Sequence, residues 1–293
     1  MSGAGGAASG AGGVVGTGAG GAASGGAARP TITVVTVCRN ALQLLRPTVE
    51  SVLAQRLPSI EYLIVDGASS DGTREYLATL PSRGVRTISE QDRGIADAMN
   101  KGVRLSQGRW VAHLHAGDSY LPGALDAVLA AAGGRVGEGT DVLCGSILKA
   151  EEGVETRYYP APSRLRMDMT IHHPATFTRR EVFEEVGGFD ERYPNAMDYD
   201  FFLRAYVRGK RFAVLPETIA RMASGGRSER SLWATYRETH EIRARTLTGG
   251  WERSYAFFLL LITRGTARRL LQRVGLTPLV AWLRRRFALA PKG

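Results

Sequence analysis

Between residues 31 and 118 the chain repeats one pattern four times, an apolar run rich in β-branched residues that ends in a polar loop. Thr31–Cys38 (TITVVTVC), Ile60–Val65, Val85–Ser89 and Trp110–His115 read as strands. Leu45, Val49, Val52 and Leu53 recur at helical spacing after the first strand, with Pro47 early in that helix. A second helix is expected near Arg74–Leu80 and a third over Ile95–Leu105. Parallel strands need a crossover connection, so strict strand–helix alternation predicts an α/β fold: a Rossmann-like, mostly parallel sheet with helices on both faces. Ligands of such sheets bind at the carboxyl ends of the strands. There the sequence places Arg39 and Asn40 after the first strand, Asp66 after the second, Asp92 after the third and Asp118 after the fourth.

The second half changes style. Ile171–Phe177 (IHHPATF) is expected to be extended and Arg180–Val186 a short helix that Gly187-Gly188 ends. Met197-Asp198-Tyr199-Asp200 opens a helix through Val207, with two carboxylates in a first turn that favours negative charge. Phe212–Leu215 and Thr218–Met222 read as strands, Gly225-Gly226-Arg227-Ser228 as a loop and Glu229–Thr246 as a helix.

The ends of the chain differ from its centre. Residues 1–28 are almost all Gly, Ala and Ser, too little apolar surface to offset ordering, so 1–29 is expected to be a disordered tail. It has neither the basic start nor the apolar run of a signal peptide. From Glu241 onward there are eleven Arg or Lys against two Asp or Glu, a net +9, which leaves +1 of the total +10 for the other 240 residues. The apolar run 256–262 falls short of the roughly 20 residues that span a bilayer. Arginines at 264, 268, 269, 273 and 284–286 alternate with apolar residues, the pattern of a helix, or a helix pair broken at Gly275 and Pro278, that lies on an anionic membrane surface or packs as a hairpin on the domain. Three parts are therefore expected: the tail 1–29, an α/β domain over 30–228, and basic amphipathic helices over 229–293. The two cysteines, Cys38 and Cys144, make no disulfide framework and fit a reducing, cytoplasmic location, and the basic tail would make it peripheral on the cytoplasmic face of the membrane.

Six blocks in order carry a family resemblance: TVVTVCRNA (33–41), ESVLAQ (50–55), YLIVDGASSDGTREYL (62–77), SEQDRGIADAMNKGVRLSQGRWVAHLHAGD (89–118), HHPATFTRREVFEEVGGFDERY (172–193) and MDYDFFLRA (197–205). The chain resembles glycosyltransferase family 2, inverting enzymes with a GT-A fold. Within it the motifs VDGxSxDGT, DxGIxDAMNKG and LxxGD look closest to the branch that builds bacterial polysaccharides and glycolipids.

The resemblance implies sugar transfer from a nucleoside-diphosphate sugar to a hydroxyl acceptor, glycan or lipid-linked, without processivity. It implies that Thr36, Arg39, Asn40 and Asp66 line the base and ribose pocket, with Asp92 and Asp97 joining from the next loop. Many relatives carry two adjacent acids at 66–67; here the second is Gly67. Asp118 takes the place of the last acid of the metal motif, a site for Mn2+ or Mg2+, which prefer oxygen ligands and share them with phosphates. Asp198 matches the catalytic base, and Asp200, about 200° further round the helix, does not share that job. His173 is expected near the diphosphate or acceptor, and Gly225–Ser228 resembles a loop that closes over the diphosphate.

Three rivals weigh less. A sugar-nucleotide pyrophosphorylase needs a Gly-rich loop after the first strand, where this chain has Val37-Cys38-Arg39-Asn40-Ala41. A processive synthase needs membrane helices and a Gln-x-x-Arg-Trp motif. A non-enzymatic basic nucleic-acid-binding protein would explain the basic tail, but the core is nearly neutral and carries no nucleic-acid signature, so no nucleic-acid partner is expected.

Overall fold

The structure, a computed structural model, describes residues 29–55, 58–134, 136–151, 154–226 and 231–247, together with Thr263. The glycine-rich tail to residue 28, Arg227 and Ser228, and the basic segment beyond 247 apart from Thr263 lie outside the described residues.

Four parallel strands, β1 (Ile32–Cys38), β2 (Ile60–Asp66), β3 (Val85–Ser89) and β4 (Trp110–His113), stand side by side in the order β3-β2-β1-β4. All seven residues of β1 are buried, which is why it reads as an unbroken apolar run: both faces of the strand are covered. The crossovers are α1 (Leu42–Leu53), α2 (Thr73–Ala78) and α3 (Ile95–Leu105). Leu45, Val49 and Val52 of α1 and Leu77 of α2 pack on the face that presents Val34 and Ile64. Ala98 and Met99 of α3 pack on the opposite face, against Val35 and Leu63. Gly102 sets the distance between α3 and β1, because a Cβ there would lie 2.3 Å from Val35 Cγ1.

The chain continues through β5 (Ser119–Tyr120), α4 (Ala124–Gly133), β6 (Val142–Glu151), β7 (Val154–Tyr158), β8 (Thr176–Arg179), α5 (Arg180–Val186), α6 (Met197–Val207), β9 (Phe212–Met222) and α7 (Leu232–Thr246). The sheet extends past β4 as β8-β6-β9-β5, with β7 paired to β6. Here strand senses mix: β8 runs antiparallel to both β4 and β6, while β6 and β9 are parallel. Helices cover both faces, as the alternation predicts.

Three details depart from expectation. The segment from Ile171 is not extended throughout; His173–Ala175 forms a 3-10 turn around Pro174, and the strand starts at Thr176. The two short strands expected over 212–222 are one strand, β9, in which Pro216 and Glu217 fall at a register shift between Val214 and Thr218. Pro47 sits six residues into α1, where its ring faces solvent.

Helix α7 packs into the same core. Ile242 is fully buried with α5 and α6, and the Arg243 guanidinium donates to the carbonyls of Arg166 and, at 2.5 Å, Met167. Among the described residues no helix is long and apolar enough to cross a membrane.

Candidate active site at the strand ends

The loops after β1, β2 and β3 meet at one edge of the sheet. Arg39 and Asn40 leave β1 exposed to solvent. Asn40 adopts a left-handed backbone (φ +49°), held by its N–H to Ser69 Oγ at 2.7 Å and by its Oδ1, which accepts the Ser70 N–H at 2.8 Å. Ala68 is also left-handed (φ +57°), so both loops carry strain that their hydrogen bonds must offset. Gly67 lies where a Cβ would come within 2.6 Å of Asp92 Oδ2 and 3.3 Å of Arg39 Cβ. The loss of the second acid at 66–67 is thus matched by the approach of Asp92.

The acids expected at this edge are held in different ways. Asp66 is fully buried; its carboxylate accepts the Ser69 N–H (3.1 Å), the Ser69 hydroxyl and the Ser89 hydroxyl (2.6 Å), tying β2 to β3. Asp92 pairs with Lys101 at 2.9 Å, and that lysine also holds Glu90 at 2.7 Å. Asp97 accepts the Arg93 backbone N–H and its guanidinium, both at 3.1 Å, and these hold its carboxyl below the usual range. Thr36, expected in the pocket lining, has no exposed surface: its hydroxyl donates to the Leu114 carbonyl (2.7 Å) and meets Tyr62 Oη at 3.0 Å. The exposed rim is therefore Arg39 and Asn40, standing over a hydrogen-bonded floor.

After β4 the chain turns through His115-Ala116-Gly117-Asp118. Gly117 has φ +104°, a conformation that favours glycine. Its N–H meets the Leu44 carbonyl (3.1 Å) and Thr48 Oγ1 (3.0 Å), and the Thr48 hydroxyl donates to the Asp118 carbonyl at 2.7 Å. The turn is thereby fixed on α1. Asp118 is 7% exposed, and burial pushes its carboxyl up to about 7, outweighing the hydrogen bond from Ala223 N–H and the charge of Lys149. A buried carboxylate held short of full compensation fits a divalent cation. Among the described residues no cluster of three or more His, Cys, Asp or Glu has metal-ligand geometry, so such a cation would take its other ligands from phosphate oxygens or water.

His173 joins this strand end to α6. Its ring lies 5.1 Å from His113, 5.3 Å from His115 and 5.8 Å from Phe202, one turn along from Asp198. Burial lowers all three imidazoles, His113 to about 3, His115 to about 4 and His173 well below its ordinary value, so the cluster is neutral at pH 7. His173 acts here as an uncharged wedge. Asp198 is half-buried at the start of α6, its Oδ1 accepting the Tyr199 N–H at 2.8 Å. Burial, with help from Glu238, raises it to about 6. Asp200 instead pairs with Arg204 (2.7 Å) and Asp190 with Arg192.

Several residues at this edge carry no sequence signal that marks them. Thr48 looks like one more residue of α1, and Lys101 like a solvated helix lysine. Lys149 lies buried on β6, its charge acting on Asp118 and His172, yet in sequence it sits in a mixed polar run. Two surface clefts, of about 320 and 470 Å3, are lined by other residues: Arg192, Arg204, Arg208 and Arg245 in one, Asn100, Phe183 and Phe189 in the other.

Known proteins resemble this chain in sequence and in fold. A PGL/p-HBAD biosynthesis glycosyltransferase of Mycobacterium bovis is 31% identical over 183 residues, 61% of this chain and 71% of its own. An uncharacterized glycosyltransferase of Mycobacterium tuberculosis is 32% identical over 182 residues, covering 60% and 69% of the two chains. Among solved structures, Staphylococcus aureus TarS 1-349 in complex with UDP-GlcNAc superposes with a TM-score of 0.61 at 14% identity, over 81% of this chain and 73% of that one. The mannosyltransferase PcManGT of Pyrobaculum calidifontis, in complex with GDP-Man and Mn2+, gives 0.60 at 20% identity over 89% and 81%. These likenesses show a GT-A fold. The family model for Glycosyl transferase family 2 matches residues 33–209, from β1 past the end of α6, and the chain belongs to that glycosyltransferase family.

Proposed function

We propose that this glycosyltransferase moves a sugar, with inversion, from a nucleoside-diphosphate sugar to the hydroxyl of a glycan or lipid-linked acceptor in cell-envelope polysaccharide or glycolipid synthesis. The carrying observation is the neutral His173 wedge. It packs on both the β4 end that leads to Asp118 and the helix that begins beside Asp198, which supports reading these two carboxyls, both with raised pKa values, as parts of one site. Groups poised near neutrality in this way suit proton transfer and ion binding. Relatives point to the same setting: the M. bovis protein is named for PGL/p-HBAD biosynthesis, and a Rhizobium meliloti relative, 28% identical over 204 residues, is the succinoglycan biosynthesis protein ExoO.

In this reading Arg39 and Asn40 hold the nucleotide at the rim, with Asp92 behind Gly67, and Asp66 and Thr36 support that surface from beneath. Asp97 fixes the loop that carries Asp92, and His173 keeps the acceptor side dry. Asp118, with the diphosphate oxygens, would hold Mn2+ or Mg2+, which neutralises charge on the departing diphosphate when bound. Asp198 takes the acceptor hydroxyl proton as that oxygen bonds to the anomeric carbon. The bond from the anomeric carbon to the diphosphate oxygen breaks, and its electron pair leaves with the nucleoside diphosphate. Membership of an enzyme family removes the non-enzymatic nucleic-acid-binding alternative.

A thermal-shift panel of nucleoside diphosphates and nucleotide sugars, with and without Mn2+, tests the donor half. One nucleotide series should stabilise the protein in a Mn2+-dependent way, as linkage requires. A flat panel across all nucleotides, together with no nucleotide-sugar hydrolysis, overturns the reading.

A further inference from the structure

We propose that Glu238, on α7, is a positioning residue for the transfer reaction: it holds the turn at Asn195 and Ala196 that presents Asp198. The proposal rests on the assignment of Asp198 as the base. Glu238 is 5% exposed and its carboxylate takes three donors from that turn. Oε2 accepts the backbone N–H of Asn195 at 2.8 Å and of Ala196 at 2.9 Å, and Oε1 accepts the Asn195 side-chain amide at 2.6 Å. Ala196 is the N-cap residue just before α6, and its own side chain makes no capping hydrogen bond. The N–H groups left open at a helix start need an acceptor, and here a carboxylate from a distant helix supplies it, the sign of charge that a helix N-terminus favours.

Neighbouring contacts fix α7 on the same turn. Tyr193 Oη donates to Glu241 at 3.1 Å and accepts from Arg245 at 3.0 Å, while Arg243 holds the 166–167 carbonyls. The turn is thus clamped from one side by three residues of α7. Around Asp198, Glu238 is the charged group that acts on it; within α6 the next carboxylate, Asp200, is paired to Arg204. Glu238 therefore does two things to Asp198: it sets where the carboxyl sits, and its negative charge favours the protonated form.

Glu238→Gln in the full chain separates these effects from simple packing. The amide keeps one acceptor oxygen but turns N–H toward N–H and removes the charge. The expected result is a fall in kcat of about 10-fold or more, since small misplacements of a reacting group are costly. The acid limb of the pH–rate profile should move to lower pH, with KM for the donor and the nucleotide Kd near wild-type. Asn195→Ala, which removes one bond and no charge, should lower kcat with the acid limb unmoved, and it serves where the Gln variant does not fold. Wild-type kcat in a folded Asn195→Ala protein, or wild-type kcat and acid limb in Glu238→Gln, overturns the role of Glu238 while Asp198→Asn stays inactive. An Asp198→Asn enzyme of wild-type turnover overturns the base assignment, and the proposal with it.

Discussion

The Asp118 carboxylate accepts the Ala223 N–H at 2.8 Å, so the turn after β4 and the end of β9 share a hydrogen bond two residues before Gly225. Any change at the carboxylate is felt at the root of that glycine pair. Asp118→Asn can keep this bond through its carbonyl oxygen while losing the negative charge. The variant should fold, bind Mn2+-dependent nucleotide far more weakly, and lose most transfer. Calorimetry of nucleotide binding with and without Mn2+ is the check; equal affinities in variant and wild type refute the role.

The same residue predicts a pH effect on the ligand-free protein. A carboxyl at about 7 when folded and 3.8 when exposed holds its proton more tightly in the folded state, so the contribution of Asp118 to stability is greatest at low pH and is lost between about pH 4 and 7, opposite in sign to that of the buried neutral histidines. Across that window the melting temperature of Asp118→Asn should gain on that of wild type as pH rises. Identical slopes count against a raised carboxyl at 118.

Asp198→Asn removes basicity at nearly constant size. Transfer should fall about 100-fold or more while donor binding survives. With the carboxyl at about 6, the wild-type rate should rise as pH passes upward through that value, because a base works deprotonated. Steady-state rates from pH 5 to 8 measure both points. Near-wild-type turnover, or a profile flat through pH 6, reassigns the base.

Gly102→Ala tests how α3 meets the sheet. Helix propensity alone would favour alanine by about 1 kcal/mol. The new Cβ would lie 2.3 Å from Val35 Cγ1, and overpacking of that kind costs about 1–3 kcal/mol, so the clash should win. Adding Val35→Ala should remove the clash and make the pair of substitutions strongly non-additive in urea unfolding. Strict additivity disproves the contact.

The segment beyond Thr248 should bind anionic membranes, each basic residue near the surface contributing about 1 kcal/mol. Co-sedimentation with anionic vesicles should fall when the chain stops at Thr248, and fall with salt. That truncation spares α7 and Glu238, so nucleotide binding should persist. Equal sedimentation of the two chains refutes a membrane role for the segment.

The strand-end half of the site is legible in the sequence because parallel strands buried on both faces leave apolar runs, and their polar ends stand out. β1, β2, β3, α3 and α6 fall within a residue or so of where the pattern puts them. The β6–β7 hairpin does not, because its second strand is mostly exposed and its residues follow no apolar period. α4 is hidden by alanine and glycine, which show little periodicity. Thr36 illustrates a different gap: a hydroxyl at a strand end looks the same in sequence whether it faces a ligand or, as here, Tyr62 and Leu114. Glu238 was out of reach, since nothing local to α7 shows which turn it caps.

The cap that Glu238 supplies has a consequence for how the protein is made. α7 follows every other described strand and helix in the chain, yet it satisfies the N–H groups of a turn more than forty residues earlier. Chains fold from the N-terminus as they emerge from the ribosome. A nascent chain with the whole sheet exposed but α7 still in the exit tunnel would hold both carboxyls of the site and an uncapped α6. Synthesis order would then act as a timer, keeping the growing polypeptide from handling activated sugar until α7 has docked.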